Sequence, residues 1–165
     1  MPPMPVFRPL LAALLIGLAA PALAQAPIAF GGVKADTSAP VEVAADTLSV
    51  DQSTGRATFS GNVEISQGDM RLSATTVTVD YAGDDRRRIR ALEAEGQVTL
   101  VSGPDAAEAA HARYDVEGGR ITLTGDVLIT QGANVLTGQT VVVDLATGSA
   151  QVEGRVRSVL QPAGQ

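Results

Sequence analysis

Ala57-Thr58-Phe59-Ser60-Gly61-Asn62-Val63-Glu64-Ile65-Ser66 puts an apolar residue or a glycine at every odd position and a polar residue at every even one. A period of two is that of an extended strand with one buried and one wet face. The alternation returns in Val77/Val79/Tyr81, in Leu92/Ala94/Gly96/Val98/Leu100, in Ile121/Leu123/Gly125/Val127/Ile129 and in Val152/Gly154/Val156. Turn-forming clusters separate these runs: Ser53-Thr54-Gly55, Gln67-Gly68-Asp69, Gly83-Asp84-Asp85, Ser102-Gly103-Pro104-Asp105, Glu117-Gly118-Gly119, Gln131-Gly132-Ala133-Asn134 and Ala146-Thr147-Gly148. The chain therefore reads as all-β, a sandwich, jelly roll or solenoid.

The opening stretch belongs to a larger unit that occurs twice. Gly61-Asn62-Val63-Glu64-Ile65-Ser66-Gln67-Gly68, then Leu72, then Val77-Thr78-Val79-Asp80, comes back as Gly125-Asp126-Val127-Leu128-Ile129-Thr130-Gln131-Gly132, then Leu136, then Val141-Val142-Val143-Asp144. Roughly half the positions of residues 51–82 are identical to those of 115–146 without a gap, which marks a repeated structural unit. Within it an alternating run ends in Asp and is followed, after a turn, by Gly-x-Val. This gives four quarter-repeats, with aspartates at Asp51, Asp80, Asp115 and Asp144 and glycines at Gly61, Gly96, Gly125 and Gly154. The glycines are expected to begin strands where a side chain would obstruct close backbone approach or a bulge. The aspartates are expected to close Asx turns, although repeated carboxylates also suit acid–base pairs or calcium. Residues 105–112, with Ala-Ala-Glu-Ala-Ala, have helical propensity, yet the repeat aligns them with Ala45-Asp46-Thr47 and predicts a strand.

The N-terminus lies outside the pattern. Arg8 precedes an apolar run broken by Pro21, and Ala22-Leu23-Ala24 offers a small-x-small cleavage site, so residues 1–24 read as a secretory signal peptide. An uncleaved anchor is the alternative, but the run falls short of the ~20 residues of a spanning helix. Of 12 basic and 18 acidic residues, one base would leave with the signal, and the acidic remainder argues against a nucleic-acid partner. There is no cysteine, so an exported fold must hold without disulfides. Residues 25–40 have the composition of a loose arm, though Ile28-Ala29-Phe30 is a short apolar island; residues 41–160 form the β domain and 161–165 a tail.

Chemistry has little to work with. A single His111 has no second histidine or cysteine to complete a metal set, and no hydrolase elbow, phosphate loop or zinc-protease motif occurs. The chain reads as a non-enzyme with no cofactor. The inward positions are mostly Val, Ile, Leu and Ala with few aromatics. That composition suits either an ordinary core of small side chains or two faces that leave a groove for something apolar, such as acyl chains. The first and last strands carry no proline, and the chain has one lysine, Lys34, so head-to-tail pairing between copies by strand addition is expected. Arg86, Arg87, Arg88 and Arg90 concentrate positive charge at a turn; they suit an anionic headgroup or an acidic partner edge, or form a solvated loop.

Taken together, Ala45-Asp46-Thr47-Leu48-Ser49-Val50-Asp51, Gly55-Arg56-Ala57-Thr58-Phe59-Ser60-Gly61-Asn62-Val63-Glu64-Ile65, Gln67-Gly68 and Leu72-Ser73-Ala74, leading to Val77-Thr78-Val79-Asp80, resemble the OstA-like family of periplasmic lipopolysaccharide-transport proteins. The resemblance implies an open β-jelly roll built from repeated antiparallel strand units, with an apolar interior that shields the acyl chains of lipid A. It implies stacking with an inner-membrane-anchored, LptC-like jelly-roll partner and with the LptD-like jelly-roll domain of the outer-membrane translocon. On that reading the lining residues are Leu48, Val50, Phe59, Val63, Ile65, Leu72, Val77, Val79, Leu123, Val127, Ile129, Leu136, Val141 and Val143. The family pattern carries no catalytic residue. A membrane-anchored sibling of the same pathway and a structural solenoid or adhesin that binds no lipid remain the competing expectations.

Overall fold

The computed structural model describes residues 28–29, 36–83 and 87–161, the first pair by backbone alone. Eleven strands form one antiparallel sheet: β1 (Ile28–Ala29), β2 (Glu42–Ala44), β3 (Thr47–Asp51), β4 (Arg56–Gln67), β5 (Met70–Ala82), β6 (Arg88–Ser102), β7 (Asp105–Asp115), β8 (Arg120–Gln131), β9 (Asn134–Asp144), β10 (Ser149–Glu153) and β11 (Arg157–Val159). No helix occurs among the described residues, and the stretch 105–112 is strand, as the repeat demands. Strands β4 to β9 follow one another as a meander. At one edge β4 pairs with β2 through Ser66–Glu64 and with β3 through Ser60–Arg56; at the other, β9 pairs with β11 through Thr137–Val135 and with β10 through Asp144–Thr140.

This double pairing at each edge shows that every long strand is folded in its middle. Register shifts fall at Ser60/Val63, Ser73/Thr76, Glu95/Val98, Glu108/His111 and Thr124/Val127, a line of irregularities running across the sheet. On alternate strands the corner is a pair of residues with positive φ: Gly61 and Asn62 (80° and 45°), Gly96 and Gln97 (79° and 48°), Gly125 and Asp126 (85° and 47°), and Gly154 and Arg155 (77° and 45°). Two successive left-handed residues bend an extended chain sharply, and the first must tolerate a close neighbour. A Cβ at Gly125 would sit 2.7 Å from the Ala110 Cβ, and one at Gly61 2.5 Å from Asp46 Oδ2. The four glycines thus stand at mid-strand corners and do not begin strands. The bulge is what they serve, and in the last copy the corner divides β10 from β11.

The crease folds the sheet into two layers whose inward rows form one hydrophobic cluster. One layer contributes Val63, Ile65, Leu72, Leu100 and Ile129, the other Val77, Val79, Leu92, Leu123 and Val143. Opposite the crease lies the mouth, where the hairpin turns of both layers end. Three of the four repeated aspartates close turns there: Asp51 accepts the amide of Ser53 (2.8 Å), Asp115 that of Gly118 (3.0 Å), and Asp144 those of Ala146 and Thr147 (both 3.0 Å). Asp80 departs from the pattern. Its strand continues past it to Ala82, so the carboxylate is buried beside Arg56 Nε (2.9 Å) and Arg90 Nη2 (3.8 Å) instead of facing a turn.

Part of the stretch read as a loose arm is tied down. Ile28 and Ala29 pair with Ala150 and Ser149 on β10, and residues 36–39 form a turn in which the Ala39 amide donates to the Asp36 carbonyl. The signal segment 1–24, Phe30, Lys34, Arg86 and residues 162–165 lie outside the described residues.

Candidate functional site

The interior between the layers collects nearly all of the positions read from alternation. Val63, Ile65, Leu72, Val77, Val79, Leu123, Val127, Ile129, Leu136, Val141 and Val143 are all buried in the one cluster, and Phe59 is partly buried against it. Leu48 and Val50 pair with Phe59 and Ala57 and so share their face, but β3 is an edge strand with no further strand beyond it among the described residues, and they are 56% and 57% exposed. The interior is therefore continuous with an open apolar edge. At the far edge Val156, Val159 and Leu160 are also exposed, but Ser158 is the residue that pairs with the inward Leu136, so Val159, opposite Val135, lies on the outer face. Between the edges the cluster is sealed from water, and each fully buried Leu or Ile is held there by about 1.5–3 kcal/mol.

The structure adds residues that the alternation displayed without singling them out. Leu92, Leu100, Ile121, Met70 and Leu145 are among the largest fully buried side chains. Leu92, Leu100 and Ile121 stand in alternating runs. Met70 and Gln67 flank a two-residue turn and had no periodic signal of their own, because Gln67 breaks the apolar register with a polar side chain.

Gln67 is the most informative of these. It ends β4 in one layer, is 1% exposed, and uses both ends of its amide. Its Oε1 accepts from Tyr114 Oη of the opposite layer (2.5 Å), and its Nε2 donates to the carbonyls of Ala39 (3.0 Å) and Thr37 (3.4 Å). Burial, the dominant influence, pushes the Tyr114 hydroxyl above its ordinary value, with the Gln67 bond opposing it. A second polar pair stands at the turn end of the same layer as Gln67, where Gln131 Nε2 donates to the buried Asp105 Oδ2 (3.3 Å).

Outside the interior, Arg87, Arg88 and Arg90 lie on the surface at the start of β6. Arg90 faces Asp80, and Arg88 Nη1 lies 3.6 Å from Glu117; both are more than half exposed, and Arg87 is exposed nearby. His111 is exposed on β7, and no cluster of potential metal ligands exists among the described residues.

Comparison with known proteins places these features in a lineage. Residues 42–149, more than half of the chain, match the family described as LptA/(LptD N-terminal domain) LPS transport protein. An uncharacterised protein of Rhizobium meliloti is 30% identical over 176 residues, which cover 97% of this chain and 95% of that one. The lipopolysaccharide export system protein LptA of Haemophilus influenzae is 27% identical over 141 residues, covering 79% and 82%. Among solved structures, LptH of Pseudomonas aeruginosa, the LptA homologous periplasmic component of its conserved lipopolysaccharide transport device, superposes with a TM-score of 0.68 at 22% identity. It covers 78% of this chain and 99% of its own, a likeness of fold.

Proposed function

The chain belongs to the LptA/(LptD N-terminal domain) family of lipopolysaccharide-transport proteins, and from that premise we propose that it carries lipopolysaccharide through the periplasm from the inner to the outer membrane. The single observation that carries the reading is the apolar interior that runs across all the long strands and emerges at the open β3 edge of the sheet. Each exposed methylene of an acyl chain costs about 0.8 kcal/mol in water, so an unbroken apolar path lowers the cost at every step without a single tight site. Directional movement comes from an energy source elsewhere.

In this reading the fourteen lining positions, from Leu48 to Val143, hold the lipid A acyl chains, and Arg87, Arg88 and Arg90, with Arg86, meet anionic headgroups or an acidic partner edge. The exposed edges β2/β3 and β10/β11 stack end to end with an LptC-like partner at the inner membrane, with an LptD-like domain at the outer membrane, or with further copies of the chain.

A jelly roll that binds no lipid would have an equally sealed interior, so the test must probe its contents. Photo-crosslinking probes at Phe59 and Ile129, blotted for lipopolysaccharide, are expected to give adducts in cells where probes at Thr58 and Thr130 give none. Absence of adducts from both inward positions, in folded and exported protein, would leave a structural jelly roll in place of a carrier.

A further inference from the structure

Acyl chains that enter from the side, between the layers, need a seam that parts, and the crease is not one: ladder pairing is interrupted at the corner, but β4 to β9 each run through it as one continuous strand. The mouth is closed by different means. β1 pairs with β10 at one edge of the sheet, β2 pairs with β4 at the other, and residues 36–40 lead into β2. The stretch 36–40 touches the hairpin ends of both layers through Asp36 and Thr37. The Asp36 Cβ lies 3.6 Å from where a Cβ on Gly68 would stand, and Thr37 Cγ2 lies 3.9 Å from the corresponding point on Gly119. Gly68 is in the β4–β5 turn of one layer, and Gly119 in the β7–β8 turn of the other.

The turn is preorganised. Asp36 Oδ1 accepts the Ser38 amide (3.0 Å) and the Ser38 hydroxyl, and these bonds lower the Asp36 pKa. The carbonyls of Thr37 and Ala39 thereby face Gln67 Nε2, while Gln67 Oε1 takes the Tyr114 hydroxyl. One buried amide joins the strap to one layer and that layer to the other. A buried amide or phenol that loses its partner is costly, so the three groups release together or not at all.

We propose that residues 36–40 are a strap across the mouth of the jelly roll, that Gln67 and Tyr114 are its latch, and that lateral loading of acyl chains requires the strap to lift. The loading part rests on the transport reading above; the closure itself does not. Gln67 and Tyr114 are then positioning residues that govern access to the apolar interior.

The chain has no cysteine, so Asp36→Cys with Gly68→Cys creates one pair. Its 3.6 Å Cβ separation fits a disulfide, for which ~3.8 Å is typical. The oxidised variant is expected to take up fluorescent lipopolysaccharide at least tenfold less than the same protein after reduction. Equal uptake by oxidised and reduced protein would overturn the strap as a gate. A second measurement needs no lipid: in Tyr114→Phe, amide exchange at Ser38 and Ala39 should quicken at least tenfold while the β6 amides keep their protection. Unchanged exchange at the strap would overturn the latch. If neither oxidised nor reduced protein takes up lipid, the transport reading fails, and quickened exchange in Tyr114→Phe then supports the closure alone.

Discussion

At the scale of single residues, the same side-chain type does different work according to where the strand stops. Asp51 accepts from the Ser53 hydroxyl and amide and from Thr54, and these bonds hold its carboxyl down to about 2. Asp144 is lowered chiefly by the Thr147 amide and hydroxyl. A depressed folded-state pKa means that the turn's contribution is fully present above the unfolded carboxylate value of ~3.9 and is lost as pH falls through the folded value. Asp51→Asn is therefore expected to flatten the decline of stability between about pH 4 and pH 2, as measured by chemical denaturation across that range. Tyr114 works in the opposite sense. Its raised pKa stabilises the fold below ~10, and that contribution disappears as pH rises through the folded value. With Tyr81→Phe leaving Tyr114 as the one tyrosine, phenolate absorbance should appear with a midpoint above ~10. Leu123, fully buried at the centre of its layer, should lose about 2–5 kcal/mol on substitution by Ala in equilibrium unfolding.

At the scale of the strand, the corner decides the architecture. A flat sheet of these strands would expose one long apolar face, whereas a fold at mid-strand turns that face onto itself. The Gly-x pair supplies the bend on alternate strands, and a neighbour with a small or mobile side chain, such as Ala110 beside Gly125, fills the space against it. Gly125→Ala meets both a 2.7 Å contact and a φ of 85°, and should cost about 1–3 kcal/mol in chemical denaturation. Asn62→Gly, which relieves a non-glycine residue at φ 45°, should by the same assay fall within about 1 kcal/mol of the parent.

For the whole molecule, the two ends of the sheet differ in how they are finished. At one end β3 is exposed along its full length with Leu48 and Val50 outward of the core; at the other, β11 is a three-residue strand with Val159 exposed, and β10 is partly covered by β1. Unpaired edges carrying apolar residues associate with other edges unless charge prevents it. Sedimentation of the exported chain is expected to show association that grows with concentration, and Leu48→Lys with Val50→Lys should abolish it without altering the strand content. A parent chain that stayed monomeric throughout would remove stacking of copies from the proposal.

The period of two, the turn clusters and the doubled unit were sufficient to establish an all-β chain, to identify the strands and to select most of the buried side chains. Alternation is a local property, and the face that a residue shares with its second neighbour follows from backbone geometry alone. The tertiary structure decided what alternation cannot express. Glycines in an unbroken run look the same whether a strand begins or bends there, and only pairing across the sheet reveals the crease. Asp80 looks like its three counterparts until Arg56 and Arg90 approach from neighbouring strands. Gln67 reads as part of a turn, and its burial depends on Tyr114 arriving from the opposite layer and on residues 36–40 crossing the mouth. Each of these depends on contacts between residues far apart in the chain, which side-chain order along one strand does not encode.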